Sequence, residues 1–316
     1  MKVIDLINSS KSTAFSFEIL PPLKGNSIQK VYNVIDKLIE FDPKYINITS
    51  HHSEYIYKTL PDGSFQKVNI RKRPGSVAIA SAIQNKYGVT AVPHIICKGF
   101  TKDETEYALI DLNFLGVYDL LLLRGDIKTL EAGQNADLYH EHATDLQKQV
   151  NDFNRGIALD GSTFEANETP FSYGMACYPE KHEEAPNMES DIFYLKEKVK
   201  NGADYLVTQM FFDNEKYYAF VDRCRAEGIT VPIIPGIKPI VFKNQLTVLP
   251  KIFRSDIPEP FAAELRKCKT DDDAKAVGVE WCIQQCKDLI AHGVPSLHFY
   301  TMMASDSVRK VAREVY

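Results

Sequence analysis

Ala14-Phe15-Ser16-Phe17-Glu18-Ile19-Leu20-Pro21-Pro22 is the stretch from which the fold is read. Its apolar neighbours predict a buried strand, and the double proline, which cannot continue a hydrogen-bonded ladder, marks where that strand stops. Glu18 lies inside it. A carboxylate in such a place is costly to desolvate unless it is paired, protonated or facing a cavity. Desolvation lifts its pKa toward the range of a general acid. The residues alone also allow a carboxylate that caps a loop or pairs with an arginine.

Seven further β-like runs follow, at 45–50, 89–97, 119–126, 172–179, 205–212, 232–237 and 297–302. Helix-like segments separate them. Residues 27–41 are amphipathic, with Ile28, Val31, Ile35, Leu38 and Ile39 at helical spacing. Thr101-Lys102-Asp103-Glu104 reads as a capping box opening a helix that ends near Gly116. Asn214 is expected to cap a helix over 215–227, and residues 271–292 form the longest helix. Strands alternating with helices imply parallel pairing, and eight such repeats close a single (β/α)₈ barrel of the TIM type. A doubly wound open sheet is the alternative. It would recruit nucleotides through a glycine-rich first turn, yet the 16 glycines include no Gly-x-Gly pair. Residues 1–316 are therefore expected to form one domain, with excursions at about 51–75 and 151–171 that read as a hairpin or a lid.

Composition narrows the class. A chain of 316 residues, 44% of them hydrophobic, can bury a large core. The net charge of -5 and the short basic cluster Arg71-Lys72-Arg73 argue against a nucleic-acid surface. No apolar stretch approaches the length of a membrane span and no secretory leader is evident, so a cytoplasmic protein is expected. Six scattered cysteines without a Cys-x-x-Cys pair read as buried thiols.

In a barrel the strand C-termini share one face, and that face carries the chemistry. Polar residues gather there: Glu18, Thr49, His94, Arg124-Gly125-Asp126, Tyr178 with His182, Gln209, and His298-Phe299-Tyr300-Thr301. Each has an ordinary structural role open to it, such as an Arg124–Asp126 pair or a backbone-bonded Gln209. No two histidines share a strand in a His-x-His pattern, and no metal cage is apparent.

The motifs Phe15-Ser16-Phe17-Glu18-Ile19-Leu20-Pro21-Pro22, Pro93-His94, Leu123-Arg124-Gly125-Asp126, Tyr178-Pro179-Glu180-x-His182, Thr208-Gln209-x-Phe211-Phe212-Asp213, Ile234-Pro235-Gly236-Ile237 and Leu297-His298-Phe299-Tyr300-Thr301 occur in that order. Together they resemble the 5,10-methylenetetrahydrofolate reductase family, over residues 14 to 303. The resemblance implies an FAD-binding barrel without a Rossmann domain. It also implies a ping-pong reaction in which NADH or NADPH reduces the flavin, leaves, and is replaced by 5,10-methylenetetrahydrofolate, which becomes 5-methyltetrahydrofolate for methionine synthesis. By that resemblance Glu18 is the general acid that helps open the folate's five-membered ring. Asp126 lies between flavin and pterin and stabilises a cationic iminium. Gln209 is a pterin contact, Thr49 lies near the nicotinamide, and Gln245 and Tyr300 are substrate contacts. His94, Arg124, Gly125, His142, Ala143, Tyr178, His182, Ala185, Asp191 and Lys198 are assigned to the flavin, with Arg124 and Lys198 suited to its pyrophosphate and Asp191 to a ribose hydroxyl.

The chain also departs from the family. Tyr300-Thr301 continue as Met302-Met303-Ala304, without the substrate-binding arginine that members often carry there. Leu249 stands at a loop position where some members place a stacking phenylalanine, His142 stands where some have a tyrosine, and Ser50 and His52 replace other flavin neighbours. A regulatory domain and inhibition by S-adenosylmethionine are not expected, and a homo-oligomer is. The alternatives are a flavin-binding barrel subunit with weak or altered acceptor specificity, and a barrel lyase or metal hydrolase.

Overall fold

A computed structural model describes residues 1–51, 54–125, 135–302 and 304–316. The strands are β1 (Ala14–Ile19), β2 (Tyr45–Ile48), β3 (Glu54–Thr59), β4 (Phe65–Ile70), β5 (Thr90–Ile96), β6 (Asp119–Leu123), β7 (Ser172–Cys177), β8 (Tyr205–Thr208), β9 (Ile233–Ile234), β10 (Gly236–Ile237) and β11 (Ser296–Tyr300). The α-helices are α1 (Val3–Ser9), α2 (Gln29–Ile35), α3 (Ser76–Tyr87), α4 (Lys102–Phe114), α5 (Ala143–Asn154), α6 (Met188–Lys200), α7 (Asn214–Ala226), α8 (Gln245–Phe253), α9 (Glu259–Lys267), α10 (Asp271–Ala291) and α11 (Ser305–Val315). All strands but β3 and β4 belong to one sheet, and the fold is the α/β TIM-type barrel that the alternation predicts. No helix among the described residues is long and apolar enough to cross a membrane.

The chain divides into two compact units. The first comprises Met1–Ile19, Asn33–Asn47 and Ser172–Tyr316. In it β1 pairs in parallel with β11, β11 with β10, β7 with β8, and β8 with β9. Every residue of β1 is buried, as the run Ala14–Ile19 predicts. Buried polar groups of β1, β2 and β11 meet in the interior of this unit. Ser16 Oγ lies 3.0 Å from His298 Nδ1, and the His298 ring stacks on Tyr45 at a 6.0 Å centroid distance. Burial pushes the His298 imidazole down to about 3, so it is neutral, and lifts the Tyr45 phenol to about 12. Outside the strands, α8, α9 and α10 enclose a second core around Phe212, Ile240, Leu249 and Phe261, with the Phe261 ring stacked on Trp281 at 4.5 Å.

The second unit comprises Leu20–Tyr32 and Ile48–Phe171. Its parallel pair β5–β6 is flanked by α3, α4 and α5. The excursion after residue 51 is the antiparallel hairpin β3–β4, turned at Asp62-Gly63, where Asp62 Oδ1 accepts from the Ser64 amide at 2.9 Å. Thr101 and Glu104 form the capping box of α4. The 151–171 excursion begins inside α5 and then folds back through an isolated Ile157–Thr163 bridge.

Three local expectations are corrected. The 27–41 segment is not one helix but α2 and a short 3₁₀ turn at Ile39–Phe41, ended by Asp42 at φ 51°. The cap of α7 is Asp213, whose carboxylate accepts from the Glu215 amide at 3.1 Å, with Asn214 already helical. Leu249 lies within α8 rather than in a loop, and is buried.

Candidate active site

In the first unit the site grows from the strand β11. Glu18 of β1 is paired with Tyr300 of β11, and Phe299 with Ile237 of β10. A Cβ on Gly236 would meet the Tyr300 ring at 2.5 Å and the Thr208 carbonyl oxygen at 2.4 Å. Tyr300 therefore lies across the glycine, and its hydroxyl donates to the Thr208 carbonyl at 2.6 Å. Thr208 answers with its own hydroxyl, which accepts from the Gly236 amide at 2.8 Å. Burial raises the Tyr300 phenol far above its usual pKa, and the nearby Glu18 adds to that, so Tyr300 is a neutral donor. Glu18 itself is buried at 9% exposure, and its carbonyl accepts from Thr301 Oγ1.

The other residues of this unit fall into two groups. Gln209 follows β8, and its side-chain oxygen accepts from the Met210 amide at 2.9 Å. Gln245 opens α8 and accepts from the Val241 and Phe242 amides at 2.7 and 3.1 Å, which anchors that turn. Beyond β7, the Tyr178 and His182 rings meet edge to face at 4.7 Å. Asp191 Oδ2 accepts from the His182 amide at 2.8 Å, the Ala185 amide donates to the His182 carbonyl at 3.1 Å, and Lys198 Nζ donates to the Ala176 carbonyl at 3.0 Å. Asp191 and Lys198 are seven residues apart on α6, and so share one face.

One residue of this unit was passed over in the sequence. Lys238 follows β10 directly and is only 4% exposed. Burial pushes its ammonium down to about 8, with Glu18 and then Cys282 acting in the opposite direction. The sequence gives its place, the first residue past the 232–237 run, but not its burial.

In the second unit His94 is buried on β5, and its carbonyl accepts from Ser50 Oγ at 2.5 Å. Thr49 Oγ1 lies 3.3 Å from His51 Nε2. Arg124 directly follows β6 and precedes Gly125 at φ +86°, a conformation that side chains rarely adopt. His142 precedes α5, its amide donating to Asp145 at 2.9 Å, and Ala143 is the first residue of that helix. Asp126, His52 and Met303 lie outside the described residues.

The profile of the methylenetetrahydrofolate reductase family matches residues 2–315. A probable methylenetetrahydrofolate reductase (NADPH) from Caenorhabditis elegans is 31% identical over 99% of this chain and 43% of its own length. Methylenetetrahydrofolate reductase (NADH) 1 from Arabidopsis thaliana is 30% identical over 97% of this chain and 49% of its own. The chain thus spans about half the length of these two relatives. The 5,10-methylenetetrahydrofolate reductase of Escherichia coli K12 is 31% identical over 91% of this chain and 85% of its own. Among solved structures, an uncharacterized Clostridium thermocellum protein that binds two copies of 5-methyl-5,6,7,8-tetrahydrofolic acid aligns with a TM-score of 0.54, at 15% identity over 98% of both chains, a likeness of fold alone.

Proposed function

The chain belongs to the methylenetetrahydrofolate reductase family, and on that premise we propose that it reduces 5,10-methylenetetrahydrofolate to 5-methyltetrahydrofolate with NADH or NADPH, supplying methyl groups for methionine synthesis. The observation that carries the reading is Glu18, a buried carboxylate on the strand next to Tyr300, level with it and facing the same way.

The donor set suits FAD. Lys198 and Asp191 on one face of α6 offer a cation for a pyrophosphate and a carboxylate for a ribose hydroxyl. In the second unit, Gly125 at φ +86° follows Arg124 and packs on Ile96, whose side chain a Cβ there would meet at 3.4 Å, and Arg124 and Gly125 are both assigned to the cofactor by resemblance. His94, His142, Ala143, Tyr178, His182 and Ala185 are assigned to the same cofactor by resemblance. When bound, FAD supplies two-electron storage between the nicotinamide and folate half-reactions.

The protein's own part is acid–base and electrostatic. Glu18 delivers a proton to the folate nitrogen that leaves the bridging carbon, which opens the ring to an iminium. Tyr300, held to Thr208 and neutral, walls the space beside that carboxyl. By the resemblance, Gln209 and Gln245 are substrate contacts of the first unit, and Thr49 of the second unit is a nicotinamide contact. Asp126 supplies the negative charge that the iminium needs. Asp126→Asn is expected to slow the folate half-reaction about tenfold or more while the nicotinamide half-reaction changes less. Stopped-flow measurement of the two half-reactions checks this, and equal losses in both would remove the charge-stabilising role.

The function itself is tested in one cuvette. Purified protein loaded with FAD is expected to lose its visible absorbance when NADH or NADPH is added without oxygen. Methylenetetrahydrofolate is then expected to restore it. Bleaching without folate-dependent recovery would overturn the folate reading and point to another acceptor. A protein that takes up no FAD would overturn the flavoprotein reading.

A further inference from the structure

We propose that Lys238 is the counter-cation of Glu18, a positioning residue whose charge, acting across the strand between them, stabilises the anion left when the Glu18 proton has gone to the substrate. The proposal rests on the reductase reading above and adds to it a residue for the acid step.

The geometry comes from strand register. Lys238 follows Ile237 as Tyr300 follows Phe299, and Ile237 and Phe299 are partners, so Lys238 is level with Tyr300. Glu18 is level with Tyr300 on the other side. Glu18, Tyr300 and Lys238 thus form one row across β1, β11 and the end of β10. They also share a face. The Tyr300 ring lies where a Gly236 side chain would be, and Lys238 is two residues beyond Gly236, on the same side of the strand. Both charged members are buried, Glu18 at 9% exposure and Lys238 at 4%.

A lysine so deep in a barrel needs a reason, because burial works against its charge. Glu18 provides one, opposing that effect at Lys238, as Cys282 on α10 does more weakly. Among the described residues, the other titratable groups that act on the row or pack against it are Tyr300 and His298 on β11, Tyr45 on β2, Cys177 at the end of β7 and Tyr178 just past it. Burial keeps Tyr300 and Tyr45 protonated and His298 unprotonated at neutral pH. The charge of Lys238 therefore meets no competing imidazolium or phenolate from them. In the acid step the Glu18 O–H bond breaks, the proton goes to the departing folate nitrogen, and the electron pair stays on the carboxylate. Lys238 keeps its three protons throughout and faces the new anion. Above about pH 8 Lys238 loses its own charge, and that support is withdrawn.

The test is the titration of Glu18 in the FAD-loaded protein, read from the carboxyl carbon of ¹³C-labelled glutamate. The resonance is assigned by its loss in Glu18→Gln. Removing a neighbouring cation raises a carboxyl pKa, so Lys238→Met is expected to move the Glu18 midpoint up by about 1–3 pH units. The alkaline limb of the folate half-reaction should move up with it, and Lys238→Arg should restore both toward wild type. A Glu18 midpoint equal in wild type and Lys238→Met overturns the proposal. Should Lys238→Met not fold by circular dichroism, Lys238→Gln is read in the same way. Absence of folate turnover in the wild type would overturn the reductase reading, while the carbon titration still decides the pairing.

Discussion

Glu18→Gln is expected to lower the folate half-reaction by about 10²- to 10⁴-fold, the range that a positioned general acid contributes. Oxidation of NADH or NADPH should continue near the wild-type rate. The substitution keeps the volume of the side chain and its place on β1, where all six residues are buried, but leaves nothing to donate as an acid. Hydride uptake from the nicotinamide requires no proton from this position, so the two half-reactions separate. By the Lys238 proposal, the amide also can never become the anion that offsets Lys238, and a buried cation without any counter-charge costs stability. A lower melting temperature should therefore accompany the kinetic loss. Stopped-flow traces of the two half-reactions decide the matter, and near-normal folate turnover in Glu18→Gln would remove this residue from the mechanism.

Gly278→Ala is expected to destabilise the protein, against the rule that alanine improves a helix. Within α10 the propensity gain would be about 1 kcal/mol. The alanine Cβ, however, would meet the Ile240 carbonyl oxygen at 2.0 Å and its carbon at 2.8 Å. Both are backbone atoms, and the ring of Pro239 restrains the chain just before them. Overpacking of this kind costs about 1–3 kcal/mol, and here no flexible side chain can yield. The steric term should win, giving a lower midpoint in thermal or urea unfolding. Because Lys238 lies two residues before Ile240, the folate half-reaction should slow as well. An unchanged or raised midpoint would show that α10 can move away from this turn at little cost.

The strands were legible because a parallel sheet buries both faces and so writes itself as short apolar runs. All eight predicted runs contain strands, although the seventh is broken at Pro235 into β9 and β10. Proline has no N–H to give to the ladder at that point. The helices α4, α7 and α10 were readable from caps and periodicity. The helices α8 and α9 escaped because prolines sit where a sequence reader expects a break: Pro250 lies inside α8, and Pro258 and Pro260 frame the start of α9. Here tertiary packing around Phe212 and Phe261 overrides local preference.

At the site, the strand-end rule led to Glu18, Gln209 and Tyr300, but it looked for groups familiar from chemistry and passed Lys238. A lysine between Ile237 and Pro239 resembles an exposed loop residue. Only register shows that it is level with Tyr300 and buried. Gln245 illustrates the opposite limit, for its sequence position says nothing of the two amides that its side chain holds.

All six thiols are free and buried, and burial lifts Cys97 to about 12 and Cys177 well above its ordinary value. Peroxide attacks the thiolate, not the thiol. Cys97 and Cys177 therefore offer very little thiolate at neutral pH, and all six sulfurs are buried. The proposed reaction would place reduced flavin, a source of peroxide, in this barrel, and the packing that fills its interior would then also be armour, keeping Cys97 and Cys177 poor targets for oxidation.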